Sequence, residues 1–305
     1  MSSMPTLLEG LLKSYLEGAL NIVATTIALL AFIPYLKQRK TNNFVGPLLI
    51  YLATCMFYSA YHALYAITQI LKFHGYDMRL FFDDTAALSN WVYCILFLST
   101  NFIFISGPAL ALDRFFVMAA PIKYTQWRVN RKLSILTMFL CALTAAFIFI
   151  CLLTLPYVSR KKGELSADMM RRYMVSIYDG AIIVEVVLHI VFCIQYYRFI
   201  KRQRRNSVKH HVIRANHITL FQILSQTIFS LIPKLLYHGN FLFPVALLPW
   251  ILRITMYYSF LLTIHVLLTC SFVVFTVRRR QSEKRAVVSV VQNSLSNPAR
   301  TNSTR

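Results

Sequence analysis

Three groupings in this 305-residue chain have side chains and spacings that could do chemistry. Asp113, Arg114 and Phe115 are consecutive; an acid beside a base can close on itself as an ion pair or open to a partner. Glu185 is an acid inside an apolar stretch, with His189 one helical turn further on. Tyr51, Thr54, Tyr58, Tyr61, His62, Tyr65 and Gln69 recur mostly at intervals of three and four, which puts them on one stripe of a helix. Each grouping lies in or beside a long apolar run. A charged side chain at the centre of a bilayer costs roughly 2.5–3.5 kcal/mol, so such residues pair, face the bundle interior, or line a watery cavity.

The elements that must position them are apolar helices. The chain is 57% hydrophobic and 14% charged, and its mean hydropathy is +0.55; ordinary soluble domains carry about 25% charged residues. Apolar runs cover about 15–36, 44–71, 87–119, 133–157, 174–200, 216–238 and 250–277, and a bilayer core about 30 Å thick takes roughly 20 residues of helix. The expectation is an all-α membrane protein, a seven-transmembrane helix bundle. It divides into a short N-terminus (1–14), the membrane domain (15–277) and a polar, serine-rich tail (278–305) expected to be disordered. The formal charge of +21 does not imply nucleic acid, because the basic residues cluster between apolar runs rather than along one stripe. The six cysteines all fall within apolar runs and read as small buried hydrophobes. No cleavable-signal pattern opens the chain, so the first span is expected to serve as signal anchor.

Lysine and arginine set the orientation, since cytoplasmic loops carry their excess. With the N-terminus extracellular, 21 of the 32 fall inside: Lys37 to Lys40, Lys123 to Lys132, Arg198 to Arg214, and the tail from Arg278. The basic stretch from Arg160 to Arg172 between spans four and five is the dissenting segment.

Asp113-Arg114-Phe115 ends the third span, and Pro121-Ile122-Lys123-Tyr124 follows. Two readings of the acid–base pair stand: an interfacial pair whose arginine snorkels to water, or a latch that frees Arg114 when neighbouring helices part. The pattern resembles the Asp-Arg-aromatic signature of rhodopsin-like G-protein-coupled receptors. More narrowly, with Leu20-Asn21 in span one and the Lys37-Gln-Arg-Lys40 inner loop, it resembles the nematode serpentine chemoreceptors, class BC among them. The motif match covers about a dozen residues around Arg114. The resemblance implies a chemosensory receptor in the plasma membrane or a sensory cilium. It further implies a small-molecule ligand within the bundle, a heterotrimeric G protein inside, and Asp113, Arg114 and Phe115 in activation.

The departures are specific. Ser89 stands where the broader family carries a bridging cysteine, and residues 158–173 hold none, so Cys94 has no partner there. Span two lacks an aspartate, span four a tryptophan, and span seven the Asn-Pro-x-x-Tyr motif. Leu96 occupies the place of the amine-binding aspartate of aminergic receptors, which disfavours a biogenic amine held there.

Candidate pocket residues are Tyr58, Tyr61, His62 and Tyr65 on span two, Thr100 and Asn101 on span three, and Glu185 and His189 on span five. Glu185 lies eleven residues past Met174, about 16 Å deep at roughly 1.5 Å per residue. The span-two stripe is either a pocket wall or an interhelical hydrogen-bond seam. Glu185 either meets a ligand or makes a structural pair with His189 or a neighbouring helix. Lys234, His238 and Arg253 could attract an anion or simply snorkel. Pro108 and Pro233 are the expected helix kinks. No metal or cofactor is expected. His-Glu-x-x-His and Gly-x-Ser-x-Gly are absent, which argues against an enzyme. A multi-span transporter or ligand-gated channel is the competing class, and the sequence shows no internal repeat of the transporter kind.

Overall fold

The computed structural model describes residues 4–38, 46–75, 85–162, 183–201, 210–233, 235 and 257–296. These residues are almost entirely helical, with no strand among them. In chain order the helices are α1 (Met4–Gln38), α2 (Gly46–Phe73), α3 (Thr85–Ala119), the short α4 (Pro121–Gln126) and α5 (Val129–Lys162). They are followed by α6 (Ile183–Lys201), α7 (His210–Gln226), which continues as a π-helical stretch over Thr227–Leu231, and α8 (Tyr258–Ser296). Six of these helices, α1, α2, α3, α5, α6 and α8, are long and apolar enough to cross a membrane.

The outward faces explain why. Met138 is 63% exposed and Phe139 61% on α5, and Ile183 is 65% exposed on α6. So much bare aliphatic and aromatic surface belongs against lipid, and in lipid only a helix or closed barrel satisfies its own backbone. The inward faces carry the polar side chains instead: Asn21, Thr54, Ser59, Ser99, Ser106 and Thr263 are all buried. This is a soluble protein's distribution turned inside out.

Without water outside, helices gain little from burying apolar surface against one another, and close packing of small residues takes over. On α1, Ala24, Ala28 and Ala31 are fully buried, and α1 packs along both α2 and α8. α3 runs through the middle, touching α2, α5 and α7. A second cluster of Ala111 and Met118, Phe192 and Tyr196, and Ile223 joins α3, α6 and α7.

Two helices differ from the sequence expectation. α8 continues as one helix to Ser296, beyond the span end expected at Val277. No glycine or proline interrupts it before Pro298, so nothing stops propagation through Ala286-Val-Val-Ser-Val-Val. α7 is the polar one, with Gln222, Ser225, Gln226 and Ser230 buried, and its π stretch ends two residues before Pro233. Proline offers no N–H to the carbonyl four residues back and its ring crowds that carbonyl, so a re-spaced turn there relieves both defects. Pro108 is accommodated inside α3, and Pro34, not anticipated as a kink, inside α1. At the turn between α4 and α5, Arg128 adopts φ 48°, the left-handed conformation that commonly ends a helix.

The α1–α2 contact is tight enough to test. A Cβ added at Gly18 would lie 3.3 Å from the Ala66 Cβ. Gly18→Leu is therefore expected to cost about 1–3 kcal/mol, as overpacking generally does. Thermal unfolding in lipid nanodiscs should show a lower Tm, whereas Ile22→Leu, at a position 51% exposed, should leave it unchanged.

Candidate functional site

At the far end of α3, Asp113 is completely buried and Arg114 is 4% exposed. Arg114 Nη2 lies 3.3 Å from Asp113 Oδ2. The other carboxylate oxygen accepts a hydrogen bond of 2.7 Å from the Tyr124 hydroxyl. Tyr124 is delivered by α4, which starts at Pro121 with its missing N–H at the first turn, where no partner is needed. Burial, reinforced by the adjacent Asp113 carboxylate, pushes the Tyr124 phenol up, so it remains a hydrogen donor at any ordinary pH. The acid is thus held from two sides, by the neighbouring guanidinium and by the turn that follows. Phe115 is half-buried against Phe116, ring centroids 5.6 Å apart.

The span-two stripe divides. Tyr51, Thr54, Tyr58 and His62 face inward, while Tyr61 and Tyr65 are half-buried at its edge. Tyr51 bonds His265 Nε2 at 2.9 Å, Thr54 bonds Ser106 at 2.7 Å, and Tyr58 donates to the Ser259 carbonyl at 3.0 Å. The Tyr58 and His62 rings lie 4.0 Å apart between centroids, and His62 Nε2 is buried without a hydrogen-bond partner. This face is a seam between α2, α3 and α8, with His62 as its one open valence among these inward residues. On α3 the expected pair, Thr100 and Asn101, is half-buried and bonds back to its own helix at Leu96 and Phe97.

Glu185 and His189 are both buried on α6, at 1% and 4% exposure. They reach across to α7 rather than to each other. Gln226 Nε2 donates to Glu185 Oε1, and Gln222 Nε2 donates to Gln226 Oε1. His189 Nδ1 faces Thr227 Oγ1 at 3.5 Å. Beside them, His265 Nδ1 meets Ser225 Oγ at 2.9 Å, which ties the layer through Tyr51 to α2. Gly107 makes room on α3: a Cβ there would lie 2.8 Å from Gln226 Oε1 and 3.2 Å from Gln222 Nε2. One polar layer therefore joins α2, α3, α6, α7 and α8.

Sequence reasoning did not single out Gln222, Gln226, Ser225, Thr227 or His265. The signal was present, since Gln222 and Gln226 are one turn apart in an apolar stretch and His265 sits inside the last one. A further contact at the other end, Ser259 Oγ to Glu17 Oε1 at 2.8 Å, binds α8 to α1, as does Thr263 Oγ1 to Asn21 Oδ1 at 3.1 Å. Tyr178, Asp179, Lys234, His238, Arg253 and the stretch 163–173 lie outside the described residues, as do the side chains of Ser89 and Cys94. Among the described residues no three His, Cys, Asp or Glu side chains group to hold a metal ion.

Tyr124→Phe removes one donor to a buried carboxylate while keeping the ring. Hydrogen bonds to charged groups contribute about 1.5–3 kcal/mol, so the variant is expected to unfold at lower temperature in nanodiscs. An unchanged Tm would mean that the Tyr124 contact contributes nothing to holding Asp113. Compared with known proteins, the chain matches no protein-family model and no curated sequence.

Proposed function

We propose that this chain is a G-protein-coupled chemosensory receptor. In this reading it lies in the plasma membrane with its N-terminus extracellular, takes a small ligand among its helices, and activates a heterotrimeric G protein. α7 supplies the seventh crossing: about 24 residues of helix from 210 to 233 rise roughly 36 Å, enough for a bilayer core. The resemblance of Leu112-Asp-Arg-Phe115 and Pro121-Ile-Lys-Tyr124 to the nematode serpentine receptors supplies the class.

The observation that supports it best is the buried Asp113–Arg114 pair held by Tyr124. Breaking a buried pair leaves an uncompensated charge, so such a cluster has two well-separated arrangements rather than a continuum. With the acid held by Tyr124, the guanidinium stays at the helix end. When α7 moves away from α3, Arg114 can turn to a protein partner on the cytoplasmic side. The polar layer at Glu185, one to two turns further out on α3 than the pair, links the ligand-facing half to the same two helices. A ligand can shift such an equilibrium only by binding its two arrangements unequally.

Three outcomes are expected. Arg114→Ala should abolish the second-messenger response in cells while surface expression persists; normal G-protein activation by that variant contradicts the latch. Glu185→Gln should move the ligand dose–response midpoint by roughly tenfold, the scale of one charge-assisted hydrogen bond, and an unmoved curve makes Glu185 structural. A glycosylation acceptor placed before residue 15 should be glycosylated, and one placed after residue 297 should not.

A further inference from the structure

The turn between α4 and α5 carries positive charge that the helices around it do not balance. Lys123, Arg128, Arg131 and Lys132 are all exposed there. The four helices α2 to α5 carry one acid between them, Asp113, and it is buried against Arg114 and Tyr124. Arg128, left-handed at φ 48°, reverses the chain within one residue. Its carbonyl accepts the Arg131 and Lys132 N–H groups at 3.0 and 3.2 Å, which brings the three bases to the first turn of α5. One turn further on, the exposed residues of α5 are Ile135, Leu136 and Phe139. A helical turn rises about 5.4 Å, so cation gives way to hydrocarbon over a short distance on the same helix. On the α4 side, Trp127 is 58% exposed, and Lys123 Nζ lies 5.7 Å from its ring centroid.

We propose that this turn is a docking surface for acidic phospholipid, with Arg128, Arg131 and Lys132 meeting the headgroup charge and Trp127 anchored beside them. Charge complementarity calls for an anion, and the continuation of the surface selects a lipid. An acidic protein or free phosphate would match the bases but leave Ile135, Leu136 and Phe139 uncovered. A phospholipid covers them with its own acyl chains while its headgroup meets the cations. Tryptophan, an apolar ring with one N–H, settles at the level where those two parts of a lipid join. A zwitterionic headgroup brings no net charge to the four bases, whereas an acidic leaflet attracts each of them. The inference is independent of the receptor reading, since it needs only that α5 cross the bilayer.

The test uses the full chain in phosphatidylcholine nanodiscs, with Trp91→Phe and Trp250→Phe leaving Trp127 as the only tryptophan. Brominated acyl chains quench a tryptophan that they touch, so brominated phosphatidylglycerol and brominated phosphatidylcholine are compared at the same low mole fraction. Both leaflets are present alike, so the orientation of the chain does not enter. The acidic lipid should associate about fivefold more strongly, the scale of one basic residue at an anionic surface, and added salt should lower that ratio. Arg128→Gln/Arg131→Gln/Lys132→Gln should bring the ratio to one, and Lys132→Gln alone should lower it in part. Arg160→Gln/Lys161→Gln/Lys162→Gln, at the opposite end of α5, should leave it unchanged. Equal quenching by the two lipids overturns the proposal, as does a ratio that survives both the triple and the single variant at the turn. Quenching by aqueous iodide with none by either lipid also overturns it, and turns the surface toward a water-soluble acidic partner.

Discussion

A polar side chain inside a membrane-embedded bundle must find its partner within the protein, because the surrounding hydrocarbon offers none. That constraint organises this molecule from end to end. Glu17 and Asn21 find partners on α8, Thr54 on α3, Tyr51 on His265, Glu185 on α7, and Asp113 on Arg114 and Tyr124. Apart from Asp113–Arg114 within α3, each of these contacts crosses between elements that apolar packing alone would leave free to slide. The hydrogen bonds fix register, and the small residues of α1 and the glycine of α3 let the backbones come close enough to make them.

The polar groups fall into layers. A layer at one end holds Glu17, Tyr58 and Ser259; a middle layer holds Glu185, Gln226, His265 and Tyr51; the other end, where α3 stops, holds Asp113, Arg114 and Tyr124. α7 is central to any exchange between them. It carries both glutamines of the middle layer, and a π-helical turn separates it from Pro233. A π turn is a local defect that can redistribute along a helix, and such turns recur at functional positions. A change at Glu185 therefore acts on the helix least committed to regular α geometry.

Much of this was legible in the chain itself. The apolar runs marked the positions of the long helices, and Asp113 beside Arg114 at a span end suggested an ion pair, whose burial only the structure shows. Tyr124 was visible only as part of a motif, because its hydroxyl reaches Asp113 only once α4 has turned the chain back. For Glu185 the sequence left three partners open, a ligand, His189 one turn away, or a neighbouring helix. The structure shows the neighbouring helix, since α7 brings two amides and a hydroxyl to the two side chains, and which helix that would be cannot be read from spacing within one element. Thr100 and Asn101 bond back to Leu96 and Phe97 of their own helix. Polar residues in an apolar helix can satisfy themselves on their own backbone, and periodicity does not separate those from residues that reach across.

The account turns on Asp113 restraining Arg114. The most direct measurement is nucleotide exchange on a panel of purified heterotrimeric G proteins, comparing nanodiscs of the wild-type chain with those of Asp113→Asn. Replacing the carboxylate by its neutral isostere keeps the shape and a partner for Tyr124 but removes the negative charge beside the Arg114 guanidinium. Ligand-independent exchange is expected to rise several-fold over wild type on at least one G protein. Exchange indistinguishable from empty nanodiscs for both proteins, across the panel, would contradict it.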